Sequence, residues 1–213
     1  MDEELIKKLK YIRLGWLLAN WDHCLTMAQK GNFSHARLLE YVIEQEYQIK
    51  RENSRKAKLS RAKIPEPWVM ETFPFERQPK LNRKKIVNLY DAFDYMSKSR
   101  NIIFIGPTGT GKTGLATAFL THAIDKGYNG RFIELGYVEV EPIQVGLFFT
   151  LMHKRHRKKS SLITSNLGFS QWASFLNNQH LTAALVDRLT ENSHVINMRN
   201  CVSLRTRLEE VPG

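Results

Sequence analysis

The chain has 213 residues, 42% hydrophobic and 25% charged, ordinary globular values that exclude wholesale disorder and fibrous repeats. No apolar run approaches the roughly 18 residues of a membrane span, the greasiest stretch being Ile143 to Met152 with Gln144 inside it. Lys and Arg (32) outnumber Asp and Glu (21), a net charge of +11 that two short segments account for: residues 50–63 carry +6 and residues 153–159 carry +5.

Residues 4–29 are expected to form one helix, because Leu5, Leu9, Ile12, Trp16 and Ala19 recur at spacings of three and four. Gly31-Asn32 ends it. Ser34 then caps a second helix running from His35 to about Arg61, with Phe33 and Leu38 placed as a hydrophobic staple. Leu38, Leu39, Val42, Ile43 and Ile49 are its expected buried stripe. Its last third turns basic and aligns Arg51, Arg55 and Lys58 on one face. Ile64-Pro-Glu-Pro67 stops it, since a residue before proline disfavours helix.

Residues 68–85 look like a linker with aromatic anchors Trp68, Phe73 and Phe75, and residues 86–98 like a helix. Asn101–Ile105 is a short apolar run suited to a buried parallel strand, Thr113–Lys126 a helix ended by Gly127, and Ser161–Ser165 a second strand. This alternation predicts an α/β domain with a parallel sheet. The expected organisation is a helical N-terminal module with a basic arm (1–65), a linker and helix (66–98), and a nucleotide-binding α/β domain (99–213).

Gly106-Pro107-Thr108-Gly109-Thr110-Gly111-Lys112-Thr113 matches the G-x-x-x-x-G-K-[ST] loop, between a strand and a helix as that motif requires. Its glycines let backbone N–H groups turn towards phosphate oxygens, and the helix N-terminus adds its positive end. Lys112 would reach the β and γ phosphates of ATP, and Thr113 would give its hydroxyl to Mg²⁺. Gly109, Gly111 and Gly114 also spell a dinucleotide fingerprint, with Glu134 twenty residues on. That alternative leaves the Gly-Lys-Thr ending unexplained, and its first glycine does not close the strand.

A P-loop ATPase also needs an apolar strand ending in a Mg²⁺-binding Asp, often followed by a Glu that orients water. The best candidate is Arg131-Phe-Ile-Glu134, which offers Glu134 but places Ile133 where the Asp belongs. The seven histidines form no metal-binding set; His153 and His156 share a helical face among five cations.

Two unbalanced basic runs suit a polyanion partner, nucleic acid before an acidic protein or a membrane surface. The candidate contacts are Arg51, Arg55 and Lys58 in the first run, and Lys154, Arg155, Arg157, Lys158 and Lys159 in the second. The charged opening MDEELIKK lacks a signal-peptide apolar core. Cys24 and Cys201 are too far apart in sequence for a metal knuckle, so a reducing cytoplasm is expected.

The P-loop, ELGYVEVEP at 134–142, LITSN at 162–166, GFSQW at 168–172 and LVDRL at 185–189 together resemble the IstB-type ATPases. RLGWLLANWD at 13–22 and IPEPW at 64–68 are similar as well. These are helper proteins of IS21-family transposons, related to DnaC-type helicase loaders within the AAA+ class. The resemblance implies an AAA+ core with a helical N-terminal part, homo-oligomers with ATP sites between subunits, and duplex DNA binding in aid of an IstA-type transposase. It gives Asn166 the role of the polar residue that holds the attacking water and makes Arg188 a candidate arginine finger acting in trans. Arg205 falls at a basic C-terminal motif.

One departure bears on activity. In the family, a strand, a helix and the Asp-Glu strand lie between the equivalents of Ile133 and Glu134, whereas here GRFI runs straight into ELGY. A strand–helix–strand unit takes about 30 residues. The expectation is therefore an incomplete P-loop AAA+ sheet, with Phe132 and Ile133 as a conceivable substitute strand. Three functions stay open: a DNA-binding ATPase assisting transposition, a DNA-binding remnant without ATPase activity, and a helicase loader.

Overall fold

The computed structural model describes residues 1–133, 142–176 and 179–205. The chain divides into two compact units, Met1–Ser60 and Arg61–Gly213.

The first unit is helical: α1 (Glu3–Tyr11), α2 (Gly15–Ala19), α3 (Trp21–Lys30) and the long α4 (His35–Ala62), whose last two residues belong to the second unit. The expected single helix over 4–29 is thus three. Arg13 adopts a left-handed φ of 59°, and its N–H bonds back to Lys10 O, which closes α1 and turns the chain. Asn20 makes the second break between α2 and α3. Ser34 does cap α4, its Oγ accepting from the N–H of Arg37 at 3.3 Å.

The expected stripe on α4 is only partly inside. Leu38 and Val42 are half-buried, whereas Leu39 and Ile43 are 63% and 66% exposed and Ile49 is also exposed. The side chain that goes in is Glu46, whose carboxylate accepts from the N–H of Leu17 at 3.0 Å. Leu17 lies in the first turn of a new helix and its N–H has no carbonyl four residues back to meet, so a buried carboxylate is its acceptor. Periodicity identifies an apolar face but cannot tell which face the neighbouring helices will cover.

The second unit is a three-layer α/β fold. Its parallel sheet has the order β2-β1-β3, with β1 (Asn101–Ile105) between β2 (Leu162–Ser165) and β3 (Ser193–Asn197). All five residues of β1 are buried, as a central strand requires. Alternation splits it between two cores. Taking the remaining helices of this unit in chain order, α5 spans Arg83–Ala92, α6 Asp94–Ser97, α7 Lys112–Asp125, α8 Pro142–Arg155, α9 Trp172–Phe175 and α10 Gln179–Thr190. Ile102 and Phe104 face the layer made by α7 and by residues 68–98. Ile103 and Ile105 face α8, α9 and α10.

Residues 68–98 are structural members of this unit. Met70, Phe73, Phe75 and Leu81 are buried in the first core, three of them on two short 3-10 turns and their flanks, Met70–Thr72 and Phe75–Arg77. The helix expected over 86–98 is two, α5 and α6, separated by Phe93 at φ 54°. Strand β3 has no counterpart in the sequence reading. Its segment Ser-His-Val-Ile-Asn alternates weakly, and the signal lies in its pairing with all five residues of β1.

Among the described residues β2 is an edge strand. Phe132 and Ile133 do not join it: the N–H of Phe132 donates to Ala62 O at 2.7 Å, and Ile133 is 59% exposed. Among the described residues the sheet is incomplete on this side, as expected.

Candidate nucleotide-binding site

The loop from Gly106 to Thr113 leaves the C-terminal end of β1 and enters α7. Gly109 and Gly111 hold left-handed φ values of 83° and 93°, which residues with a Cβ rarely adopt. Gly106 is needed for a different reason: a Cβ there would lie 2.6 Å from the carbonyl carbon of Met198. The motif's glycines therefore answer to two constraints, backbone handedness and close approach of the residue that follows β3.

Lys112 is 7% exposed, and its ammonium donates to Gly106 O at 2.8 Å and Pro107 O at 2.7 Å. Burial, and after it the charge of Arg205, hold its pKa below the ordinary lysine range. A buried cation held by carbonyl dipoles at a helix N-terminus suits an incoming phosphate, which would exchange dipoles for full negative charge. Thr110 braces the loop from within, its hydroxyl donating to Pro107 O at 3.0 Å. Thr113 is exposed in the first turn of α7. The backbone handedness, the buried ammonium and the helix start fit the phosphates of a nucleotide, and the exposed hydroxyl of Thr113 is a side chain there that could meet a metal ion.

Two segments that sequence reasoning did not assign to the site shape it. Phe73 and Trp68 pack against Gly111 and Gly114: a Cβ would come within 2.8 Å of Phe73 Cε2 at the first and of Trp68 Cδ2 at the second. Residues 201–205, which follow β3, run beside the loop. The N–H of Leu204 donates to Gly109 O at 2.8 Å, and Ser203 lies against Gly109. Gln78 ties these parts together. It is 1% exposed, its Nε2 donates to Thr110 O at 3.2 Å and Val202 O at 2.7 Å, and its Oε1 accepts from the N–H of Val202 at 3.1 Å. The aromatic anchors were visible in the sequence; a lone Gln between Arg77 and Pro79 carried no signal.

The other sequence candidates are dispersed. Asn166 follows β2, at the same end of the sheet as the P-loop, next to Ser165, whose carbonyl accepts from the N–H of Gly106 at 3.1 Å. Arg188 lies on α10 and lines a shallow cleft with Asn101, Ser161 and Arg155, at the opposite end of the sheet. The carboxylate of Glu191 pairs with Arg157 rather than with Arg188. Glu134 lies outside the described residues. Among the described residues no cluster of acidic, His or Cys side chains could hold a metal ion.

The basic candidates differ in what they already touch. Arg51, Arg55 and Lys58 lie on α4, Arg55 with Glu52 at 3.6 Å. Arg155 is partly buried, its guanidinium donating to Ser161 Oγ at 3.0 Å and to Ser160 O, and burial lowers its pKa. Lys154, Lys158 and Lys159 are exposed. Among the described residues no helix is long and apolar enough to cross a membrane.

Comparison with known proteins agrees with the loop. The sequence model of the family described as IstB-like ATP binding protein matches residues 7–135 and 132–210, two segments that overlap at the junction noted above. The chain is similar to a protein of Pseudomonas aeruginosa named as a putative ATP-binding protein of insertion sequence IS21. They are 26% identical over 231 aligned positions, covering 92% of this chain and 86% of that one. It is similar to the corresponding IS5376 protein of Geobacillus stearothermophilus at 24% identity, covering 93% and 92%. For the IS232 protein of Bacillus thuringiensis subsp. berliner the values are 23% identity and 92% of each chain. All three alignments are longer than the chain's 213 residues, so each relative carries residues with no counterpart here.

Proposed function

The chain belongs to the family of IstB-like ATP-binding proteins, and from that premise we propose that it is an ATP-binding, DNA-binding helper of IS21-type transposition, one that assembles on duplex DNA and aids an IstA-type transposase. The observation that carries this is the P-loop at the end of β1, with left-handed Gly109 and Gly111 around the buried ammonium of Lys112. Lys112 and the backbone N–H groups at the start of α7 hold the phosphates of ATP. The hydroxyl of Thr113 ligates Mg²⁺, which when bound neutralises charge on the phosphate oxygens. The basic face of Arg51, Arg55 and Lys58, with Lys154, Lys158 and Lys159, meets the DNA backbone.

A second reading is favoured by the sheet edge. The internal strand–helix–strand missing between Ile133 and Glu134 would carry the Asp that holds Mg²⁺, and β2 is an edge strand among the described residues. In this reading the chain binds ATP and DNA but does not turn ATP over, and it enters mixed oligomers with intact relatives. Asn166 sits at the P-loop end of the sheet, where it would hold water in a complete enzyme. Arg188, at the other end, could serve as a finger only on a neighbouring subunit's ATP.

Binding of a fluorescent ATP analogue and hydrolysis of ATP, with and without duplex DNA, test both readings beside Lys112→Ala. DNA-stimulated hydrolysis that Lys112→Ala loses supports the first reading. Binding that Lys112→Ala loses, with hydrolysis equal in the two proteins, supports the second. ATP binding equal in the two proteins refutes the nucleotide site.

A further inference from the structure

We propose that Gln78 is a positioning residue for the nucleotide site: it clamps the P-loop to residues 201–205, so that the phosphate-binding loop and this C-terminal segment order together. The inference rests on the nucleotide reading of the loop.

Gln78 comes from the 3-10 turn region before α5, far in sequence from both partners. Its carboxamide makes a two-bonded pairing with the main chain of Val202, donating to Val202 O at 2.7 Å and accepting from Val202 N at 3.1 Å. This is how a neighbouring strand would pair. The second hydrogen on Nε2 serves Thr110 O at 3.2 Å, inside the loop. The side chain is 1% exposed, so these bonds are not exchanged with water.

From Val202 the clamp continues. The N–H of Leu204 donates to Gly109 O at 2.8 Å, and the Cγ of Arg205 lies 3.7 Å from where a Cβ on Gly109 would be. Thr110 O and Gly109 O are adjacent carbonyls of the loop, and both are tied to one five-residue segment. Fixing their directions fixes the opposite face of the same peptide groups, whose N–H groups must converge on phosphate. Without the clamp the loop must order itself on binding, and that entropy reduces affinity. Arg205, in the same segment, adds its charge to burial in lowering the pKa of Lys112.

The test uses the whole chain with Gln78→Met, which keeps length and apolar volume and removes every bond. Gln78→Glu keeps the acceptor for Val202 N–H and loses both donors, and Leu204→Pro removes the N–H that reaches Gly109. Affinity for a fluorescent ATP analogue is measured on protein shown by circular dichroism to be folded. Both Gln78 variants are expected to bind at least about tenfold more weakly, and Gln78→Met with Leu204→Pro no more weakly than the worse single variant, because both act through one segment. A role in stability alone would lower the unfolding midpoint and leave the affinity of folded protein unchanged, and that result would overturn the proposal.

Hydrogen exchange without nucleotide reads the clamp by itself. The amides of Val202 and Leu204, which donate within the clamp, should exchange faster in Gln78→Met, and unchanged rates there overturn the clamp. If the wild type binds no ATP while these amides still respond, the nucleotide reading fails and the clamp stands as a tie to a loop with another ligand.

Discussion

The indole of Trp68 fills the space that a side chain at Gly114 would occupy: its Cδ2 lies 2.8 Å, and its Cε3 3.0 Å, from the position of a Cβ there. Gly114 is the third residue of α7, directly after the Lys-Thr of the loop, so the helix start and the segment before α5 are in contact at the site itself.

Gly114→Ala tests that packing by a change of sign. Alanine is the better helix former by about 1 kcal/mol, yet forcing a methyl into a packed ring costs about 1–3 kcal/mol. Net destabilisation with a shift in Trp fluorescence is expected in the wild-type background. In Trp68→Ala the same substitution should stabilise, as urea unfolding would report.

Arg155 should behave unlike its basic neighbours. Arg155→Ala leaves Ser160 O and Ser161 Oγ without this donor and is expected to cost about 1–3 kcal/mol of stability. Lys154→Ala, Lys158→Ala and Lys159→Ala are expected to stay within about 0.5 kcal/mol. If the lysines serve DNA, these three changes weaken binding while leaving the unfolding midpoint in place.

The arm on α4 makes an electrostatic prediction. Replacing Arg51, Arg55 and Lys58 with Ala should weaken duplex binding and make log affinity less steep against log salt, by about one unit of slope for each phosphate no longer neutralised. An unchanged slope in a titration series removes the arm from the interface.

His122 predicts an acid limb in stability. Its ring stacks on Tyr90 at 4.1 Å between centroids, and burial holds its pKa below 6.5. Lys126 acts in the same direction; Asp125, Asp91 and Glu71 oppose it. The unfolded chain therefore takes up a proton first as pH falls below 6.5, and stability declines from there down to the lowered folded pKa. His194 is lowered by burial as well, with Arg100, Lys85 and Lys98 adding to the shift and Asp94 opposing it. His122→Phe should shrink the decline and leave the part due to His194, measured as urea midpoints over about pH 5–8. A limb of unchanged size in His122→Phe would show that this ring is not its source.

Local pattern in the sequence located the P-loop, β1, α7 and β2 within a residue or so, because each is set by neighbours in the chain. A five-residue apolar run, two glycines at left-handed positions and a Ser cap need no tertiary partner to be recognised. It also located the junction at Ile133–Glu134, since a missing segment is a fact of the chain. Three things were not legible there. The helix expected over 4–29 broke at Arg13 and Asn20, where backbone reversals override periodicity. Leu39 and Ile43 stayed exposed on α4 while Glu46 was buried, because burial depends on which face the neighbouring helices cover. Strand β3 and the bonds of Gln78 join residues about 90 and 124 positions apart, and long-range pairings leave no mark in local composition. The sequence by itself determined that a glycine-rich loop of the G-x-x-x-x-G-K-[ST] pattern exists and what it is made of. Only the tertiary structure decided what holds that loop in place, because its carbonyls are fixed by side and main chains that meet it through folding.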